Sequence, residues 1–192
     1  MKKIILASKS PRRKKILEQV GLNFEVAASD FDESQIEFET PQEMVEKLSF
    51  EKAKVIAQRN PGAIIIGADT VVIFRKEIIG KPKSKADAVR ILKLLSGNTH
   101  EIITGFTVIE DKKSITKHIT SKIKFKKLNE DEIKAYVATG EPMDKAGGYG
   151  IQERGGLFME NITGDYFNVV GLPISALAEV LKEFGVDIAG NW

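Results

Sequence analysis

The sequence predicts an α/β protein in which a mixed β-sheet is flanked by helices, on three observations. Short apolar runs, Ile4-Ile5-Leu6 and the stretch 63–74, alternate with capped segments of helical period. Residues 100–128 alternate apolar and polar positions on either side of Asp111-Lys112-Lys113, which reads as a hairpin. Hairpins combined with crossover helices call for parallel and antiparallel pairs in one sheet. The 192 residues show no linker, repeat or low-complexity stretch and are read as one domain, 1–192, long enough for a sizeable core.

The elements follow in order. After the strand Ile4-Ile5-Leu6, Ser10 stands as N-cap and Pro11 at the first helical position, with Gly21 as the stop. NFEVAAS, 23–29, reads as a second strand leading into the acidic loop DFDESQIEFETP. A helix follows from about Pro41 to Arg59, with Met44, Leu48, Val55 and Ile56 as its apolar stripe. AIIIGADTVVIF is apolar for long enough to be a central strand. SKADAVRILKLLSG is a capped helix closing at Gly97, and Asn129 with Glu132 forms a capping box for the next one. The Gly-rich loop TGEPMDKAGGYGIQERGG leads to a last strand region and a final helix from Pro173.

Composition excludes several chemistries. With no cysteine there is no thiol catalysis, disulfide or cysteine-rich zinc site, and the two histidines leave little room for imidazole chemistry. A formal net charge of +2 does not argue for a general nucleic-acid binder. No apolar stretch reaches the roughly 18 residues of a membrane span, and the N-terminus lacks the apolar segment of a signal peptide, so the protein is expected in the cytoplasm.

Some polar residues break these patterns. The helix from Pro11 begins Arg12-Arg13-Lys14-Lys15, four cations at the positive end of the helix dipole, where acids are favoured. Lys52 projects within an apolar stripe, either as a snorkelling side chain or as an anion ligand. Asp69 interrupts a strand that is otherwise apolar, so it must be ion-paired, bind a metal or face a cleft. Lys81 sits in a Gly-Lys-Pro turn, and Glu33 of the acidic loop could reach a metal or a water. Lys122 and Lys124 read as the solvated face of the hairpin, and His100 and His118 as structural or exposed. A basic turn at a strand-to-helix junction, further lysines and a buried carboxylate fit a bound phosphate chain. No GxxxxGK[ST] is present and no GxGxxG follows a strand, so a phosphate-ester site is as far as the residues alone reach.

LASKSPRRKKIL, IGADTVV, IGKP, SGNTHEIITG, GEPMDKAGGYGIQ and GDYFNVVGLP, taken together and in this order, resemble the Maf family of nucleoside triphosphate pyrophosphatases from about Ile4 to Phe184. The resemblance implies an elongated fold related to inosine triphosphate pyrophosphatases, a homodimer, and a divalent metal, Mg²⁺ or Mn²⁺. It implies hydrolysis of a nucleoside triphosphate to the monophosphate and pyrophosphate, a nucleotide pool-cleaning activity. DKAGGYGIQ is similar to the branch acting on dTTP and UTP rather than the branch acting on 7-methyl-GTP. By the same resemblance Asp69 is the general base or a metal ligand, and Glu33 supports the metal. Ser8, Arg13, Lys52 and Lys81 hold phosphates, and Arg12, Thr70 and Gln152 shape specificity. Two alternatives stand beside this reading: a pyrophosphatase for purine or modified triphosphates, and a non-catalytic septation regulator that binds a partner or nucleic acid. The pyrophosphatase reading expects a small nucleotide as partner, with no stable nucleic-acid binding and no membrane.

Overall fold

A computed structural model describes residues 2–191. The strands are β1 (Ile4–Leu6), β2 (Glu25–Val26), β3 (Ile64–Phe74), β4 (Glu77–Ile79), β5 (Thr99–Glu110), β6 (Lys113–Phe125) and β7 (Met159–Thr163). The helices are α1 (Pro11–Gln19), α2 (Pro41–Arg59), α3 (Lys85–Leu95), α4 (Glu130–Ala138), α5 (Tyr166–Val170) and α6 (Ile174–Lys182). All seven strands join one sheet in the order β2-β1-β3-β5-β6-β7, with β4 paired to β3. β1 runs parallel to β2 and β3, whereas β3 with β4 and β6 with β7 are antiparallel, so the sheet is mixed as expected.

The contacts group into two compact units, and β3, β5 and β6 each run through both. The first comprises 2–69, 104–119 and 171–191 of the described residues. Its core packs Ile5, Ala53, Ile56, Ile65 and Ile109, with α2 lying directly on the strands. Two glycines permit that approach. A Cβ on Gly67 would come within 2.2 Å of the Ser49 carbonyl oxygen, and one on Gly105 within 2.4 Å of the Val45 carbonyl oxygen. Where helix and sheet meet, a hydroxyl chain satisfies the buried polar groups, with Ser49 Oγ 2.8 Å from Thr107 Oγ1 and Thr107 Oγ1 2.8 Å from Thr116 Oγ1. The buried side of α2 is therefore Val45, Leu48, Ser49, Ala53 and Ile56. Met44 and Val55 are only half-buried, because the face turned to the sheet is centred on Val45, Ser49, Ala53 and Ile56 and leaves them on its flank.

The second unit comprises 70–103 and 120–170. Its core is richer in aromatics: Phe125 meets the rings of His100, Tyr149 and Phe158 edge-on, and Tyr136 meets Phe158 in the same way. Both bonds of the expected capping box at the start of α4 form, each 2.9 Å long between Asn129 and Glu132.

Two expectations need correction, and one strand was not anticipated. The second strand shrinks from 23–29 to Glu25–Val26, an exposed two-residue ladder on β1. Residues 77–79, to which the sequence assigned no element, form β4. The chain reverses through Arg75 and Lys76, both at positive φ, and neither is among the residues that advertise such a turn. Lys122 is exposed and paired with Glu101, but Lys124 is half-buried and donates to the Gly97 carbonyl at 2.6 Å. His100 is buried, whereas His118 lies on the surface 2.8 Å from Glu46. Among the described residues, no helix is long and apolar enough to cross a membrane.

Candidate active site

The first unit gathers most of the suspected site. As the chain leaves β1, the Ala7 N–H donates to the Ile66 carbonyl, which holds the following turn against β3. Ser8 Oγ accepts from the Ser10 N–H at 3.2 Å, and Ser10 Oγ in turn caps α1 by accepting from the Arg13 N–H. The first turn of α1 carries no acid, so the helix's positive end is reinforced by Arg12 and Arg13.

Arg13 turns inward. Its Nε donates to the Gly171 carbonyl at 2.8 Å, and its Nη1 donates to the Ala68 carbonyl at 2.8 Å and to Ser8 Oγ at 3.2 Å. One planar fork thus ties the β1–α1 turn, the residue before Asp69 and the chain ahead of α6. Burial lowers the guanidinium's pKa, Asp69 and Glu33 raise it, and neighbouring Arg12 lowers it. Arginine stays protonated under this opposition, so its charge is held beside the two carboxylates.

Asp69 is the sixth residue of β3, and its side chain is 14% exposed. Its Oδ1 lies 2.6 Å from Lys52 Nζ, reached from the helix seated on Gly67. The same ammonium is 2.7 Å from Glu33 Oε1, on the short 3-10 turn Glu33–Gln35 that Asp32 caps. Lys52 is therefore no mere snorkelling chain: it is the shared cation of two carboxylates contributed by a strand and a loop. Ser8, Arg13, Glu33, Lys52 and Asp69 lie together, with Arg12 next to Arg13 on α1.

This donor set suits a hard divalent cation. Asp69 and Glu33 converge on a single positive charge, and Mg²⁺ commonly takes one or two carboxylates, completing its shell with water and phosphate oxygens. Among the described residues, no group of three or more His, Cys, Asp or Glu is gathered in an all-protein cage.

Thr70, Lys81 and Gln152 belong to the second unit. Lys81 is exposed, and the preceding Gly80 carbonyl accepts from the Gly147 N–H at 3.1 Å, which joins its loop to the Gly-rich one. Gln152 is exposed between Gly150 and Gly155. The sequence reading missed Glu141 and Lys145, which anchor that loop through bonds to backbone groups that no local pattern announces. It also missed Gly171 as the carbonyl partner of Arg13.

Comparison with known proteins decides the family. The family model described as Maf-like protein matches residues 3–184. The chain belongs to the Maf family. Among its Maf relatives, the dTTP/UTP pyrophosphatase of Bacillus anthracis is 47% identical over 188 residues, 98% of either chain. The dTTP/UTP pyrophosphatase of Bacillus cereus is 47% identical over 98% of this chain and 93% of its own. Among solved structures, the Staphylococcus aureus Ham1 protein matches with a TM-score of 0.45 and 14% identity over 65% of this chain and 72% of that one. The dITP/XTP pyrophosphatase of Mycobacterium abscessus matches with a TM-score of 0.45 and 13% identity over 66% and 75%.

Proposed function

We propose that this Maf-family protein is a nucleoside triphosphate pyrophosphatase that hydrolyses dTTP and UTP to the monophosphate and pyrophosphate. The observation that carries the proposal is the Lys52 ammonium held between Asp69 and Glu33, beside the acid-free first turn of α1. Relatives of that printed name, collinear over nearly the whole chain, supply the nucleotide.

In this reading the α1 N-terminus with Ser8 and Arg12 receives phosphate oxygens, and Lys52, Lys81 and the buried charge of Arg13 offset negative charge gathering on the leaving pyrophosphate. Asp69 orients the attacking water and accepts its proton. Lys52 holds that carboxylate in place before substrate arrives. Asp69 and Glu33 would hold Mg²⁺ or Mn²⁺, which when bound polarises a phosphoryl oxygen. Thr70 and Gln152 read the nucleoside. A glutamine amide offers one donor and one acceptor, which match the N3–H and a neighbouring carbonyl of uracil or thymine but not the cytosine edge. The proposal includes a homodimer, as the family resemblance implies, and a cytoplasmic protein with no stable nucleic-acid binding, in keeping with the small net charge and the lack of cysteine.

The test is a panel of triphosphates with Mg²⁺, scored for pyrophosphate against orthophosphate. Pyrophosphate release with kcat/KM highest and similar for dTTP and UTP is expected. A preference for GTP, ITP or 7-methyl-GTP overturns the substrate assignment, and release of neither product overturns the enzyme.

A further inference from the structure

Gln152 sits at the tip of a six-residue loop whose neck is unusually tight. Tyr136 Oη, on α4, accepts from the Gly150 N–H at 3.3 Å and donates to Glu141 Oε1 at 2.8 Å. The same Oε1 accepts from the Gly155 N–H at 3.0 Å, and Oε2 accepts from the Arg154 N–H at 3.3 Å. One carboxylate and one phenol thus close both ends of 150–155. The closure leaves no room for a side chain. A Cβ on Gly155 would lie 2.8 Å from the Tyr136 oxygen and 2.9 Å from both N and O of Gly150.

A second anchor comes from the same turn with opposite charge. The Lys145 side chain, 7% exposed, donates to the Glu141 carbonyl at 2.9 Å and pairs with Asp144 at 2.8 Å and Glu153 at 3.4 Å. Burial and the bond to Glu141 both push the Tyr136 hydroxyl's pKa well up, so it stays a donor at any working pH. Among the described residues, the Gln152 side chain makes no hydrogen bond, so the bonds of this loop fix its backbone and leave the amide available.

We infer that Glu141 is a specificity-positioning residue: it fixes the Gly150–Gly155 loop and with it the point from which the Gln152 side chain reaches the nucleobase. The inference rests on the base-reading role proposed for Gln152. Discrimination between uracil and cytosine edges requires the amide to meet the base at a set distance and angle, and a loop free at its neck would let the glutamine shift until either edge is satisfied. Charge-assisted bonds donated by two backbone N–H groups and a phenol to one carboxylate hold the neck in place.

The test uses the full-length protein with two readouts. In Glu141→Gln one carboxylate oxygen becomes an NH₂ group, which cannot accept from Arg154, Gly155 and Tyr136 together. Tyr136→Phe removes the bonds to Gly150 and to Glu141 Oε1 while leaving the Glu141 carboxylate its two backbone donors. Amide exchange at Arg154 and Gly155 in Glu141→Gln, and at Gly150 in Tyr136→Phe, is expected to quicken about tenfold or more as these bonds are lost. In each variant the ratio of kcat/KM for dTTP over CTP falls, chiefly because CTP is rejected less. That fall is absent when Glu141→Gln is made in a Gln152→Ala background, as for two residues acting through one contact. Unchanged exchange in both variants overturns the pinned neck. Faster exchange with an unchanged ratio, where Gln152→Ala does lower it, overturns the role of Glu141 in specificity. A Gln152→Ala ratio equal to that of the wild type overturns base reading by Gln152 and takes the specificity part of this inference with it, while the exchange rates still report on the neck.

Discussion

Lys52 Nζ and Asp69 Oδ1 lie 2.6 Å apart, each on a side chain 14% exposed, and the same ammonium reaches Glu33 at 2.7 Å. A lysine shared in this way survives the loss of one partner. Asp69→Asn therefore leaves Lys52 paired with Glu33 and keeps the fold, while removing the group proposed to take the proton. The expected outcome is unchanged nucleotide affinity with kcat lowered at least about 10²-fold. Steady-state kinetics beside a melting curve check it, and near-normal turnover in a folded variant would remove Asp69 from the chemistry.

Arg12→Ala and Lys52→Ala separate phosphate contacts from base contacts. Both side chains are assigned to phosphate oxygens, so each variant should lose more affinity for the triphosphate than for the monophosphate. Calorimetric titration of both nucleotides measures this, and equal losses would assign the side chains elsewhere.

Arg13→Lys distinguishes a charge from a fork. The ammonium keeps the positive charge but cannot reproduce a planar set of donors to Gly171, Ala68 and Ser8. Stability is expected to fall by about 2 kcal/mol, the scale for hydrogen bonds to a charged group, and kcat to fall more than triphosphate affinity. Denaturant unfolding with single-turnover kinetics checks both. Full stability combined with unchanged kinetics and triphosphate binding would make Arg13 a simple point charge.

His100 gives the fold a dependence on pH that is independent of the chemistry. Burial lowers its pKa from 6.5 to about 4, so the folded protein favours the neutral ring. Between those values the unfolded chain binds the proton first. This contribution to stability is complete above about pH 6.5 and is lost as pH falls toward 4, amounting to on the order of 3 kcal/mol. Urea unfolding of the wild type and His100→Phe at pH 7.5 and pH 4.5 measures it. The wild type should lose the larger share of its stability on acidification, and parallel losses would show that His100 does not titrate in this window.

The sequence made the strand–helix order legible because capping and periodicity are local: Ser10 and Pro11 for α1, Asn129 and Glu132 for α4. It flagged Asp69 because a carboxylate in an apolar strand demands a partner. It could not say that the partner would be Lys52, since that pairing depends on how deeply α2 settles on the sheet. β4 escaped because its turn is made by Arg75 and Lys76, residues seldom found at positive φ. Arg13 read as one of four cations opening α1 and, by resemblance, as a phosphate ligand, since nothing local announces that its donors meet the carbonyls of Ala68 and Gly171. Glu141 was hidden for the same reason, its partners being backbone amides rather than opposite charges.

Gly67 and Gly105 have a bearing on tolerance. Each hydrogen there stands where any side chain would collide with the carbonyl of Ser49 or Val45, so the helix that carries Lys52 rests on bare backbone. The separation of ammonium and carboxylate is thus gauged by two absent methyl groups rather than by neighbouring bulk. Surface exchanges along the outer side of α2 can accumulate without altering that gauge, whereas one added carbon beneath it would act as a shim and open the pair.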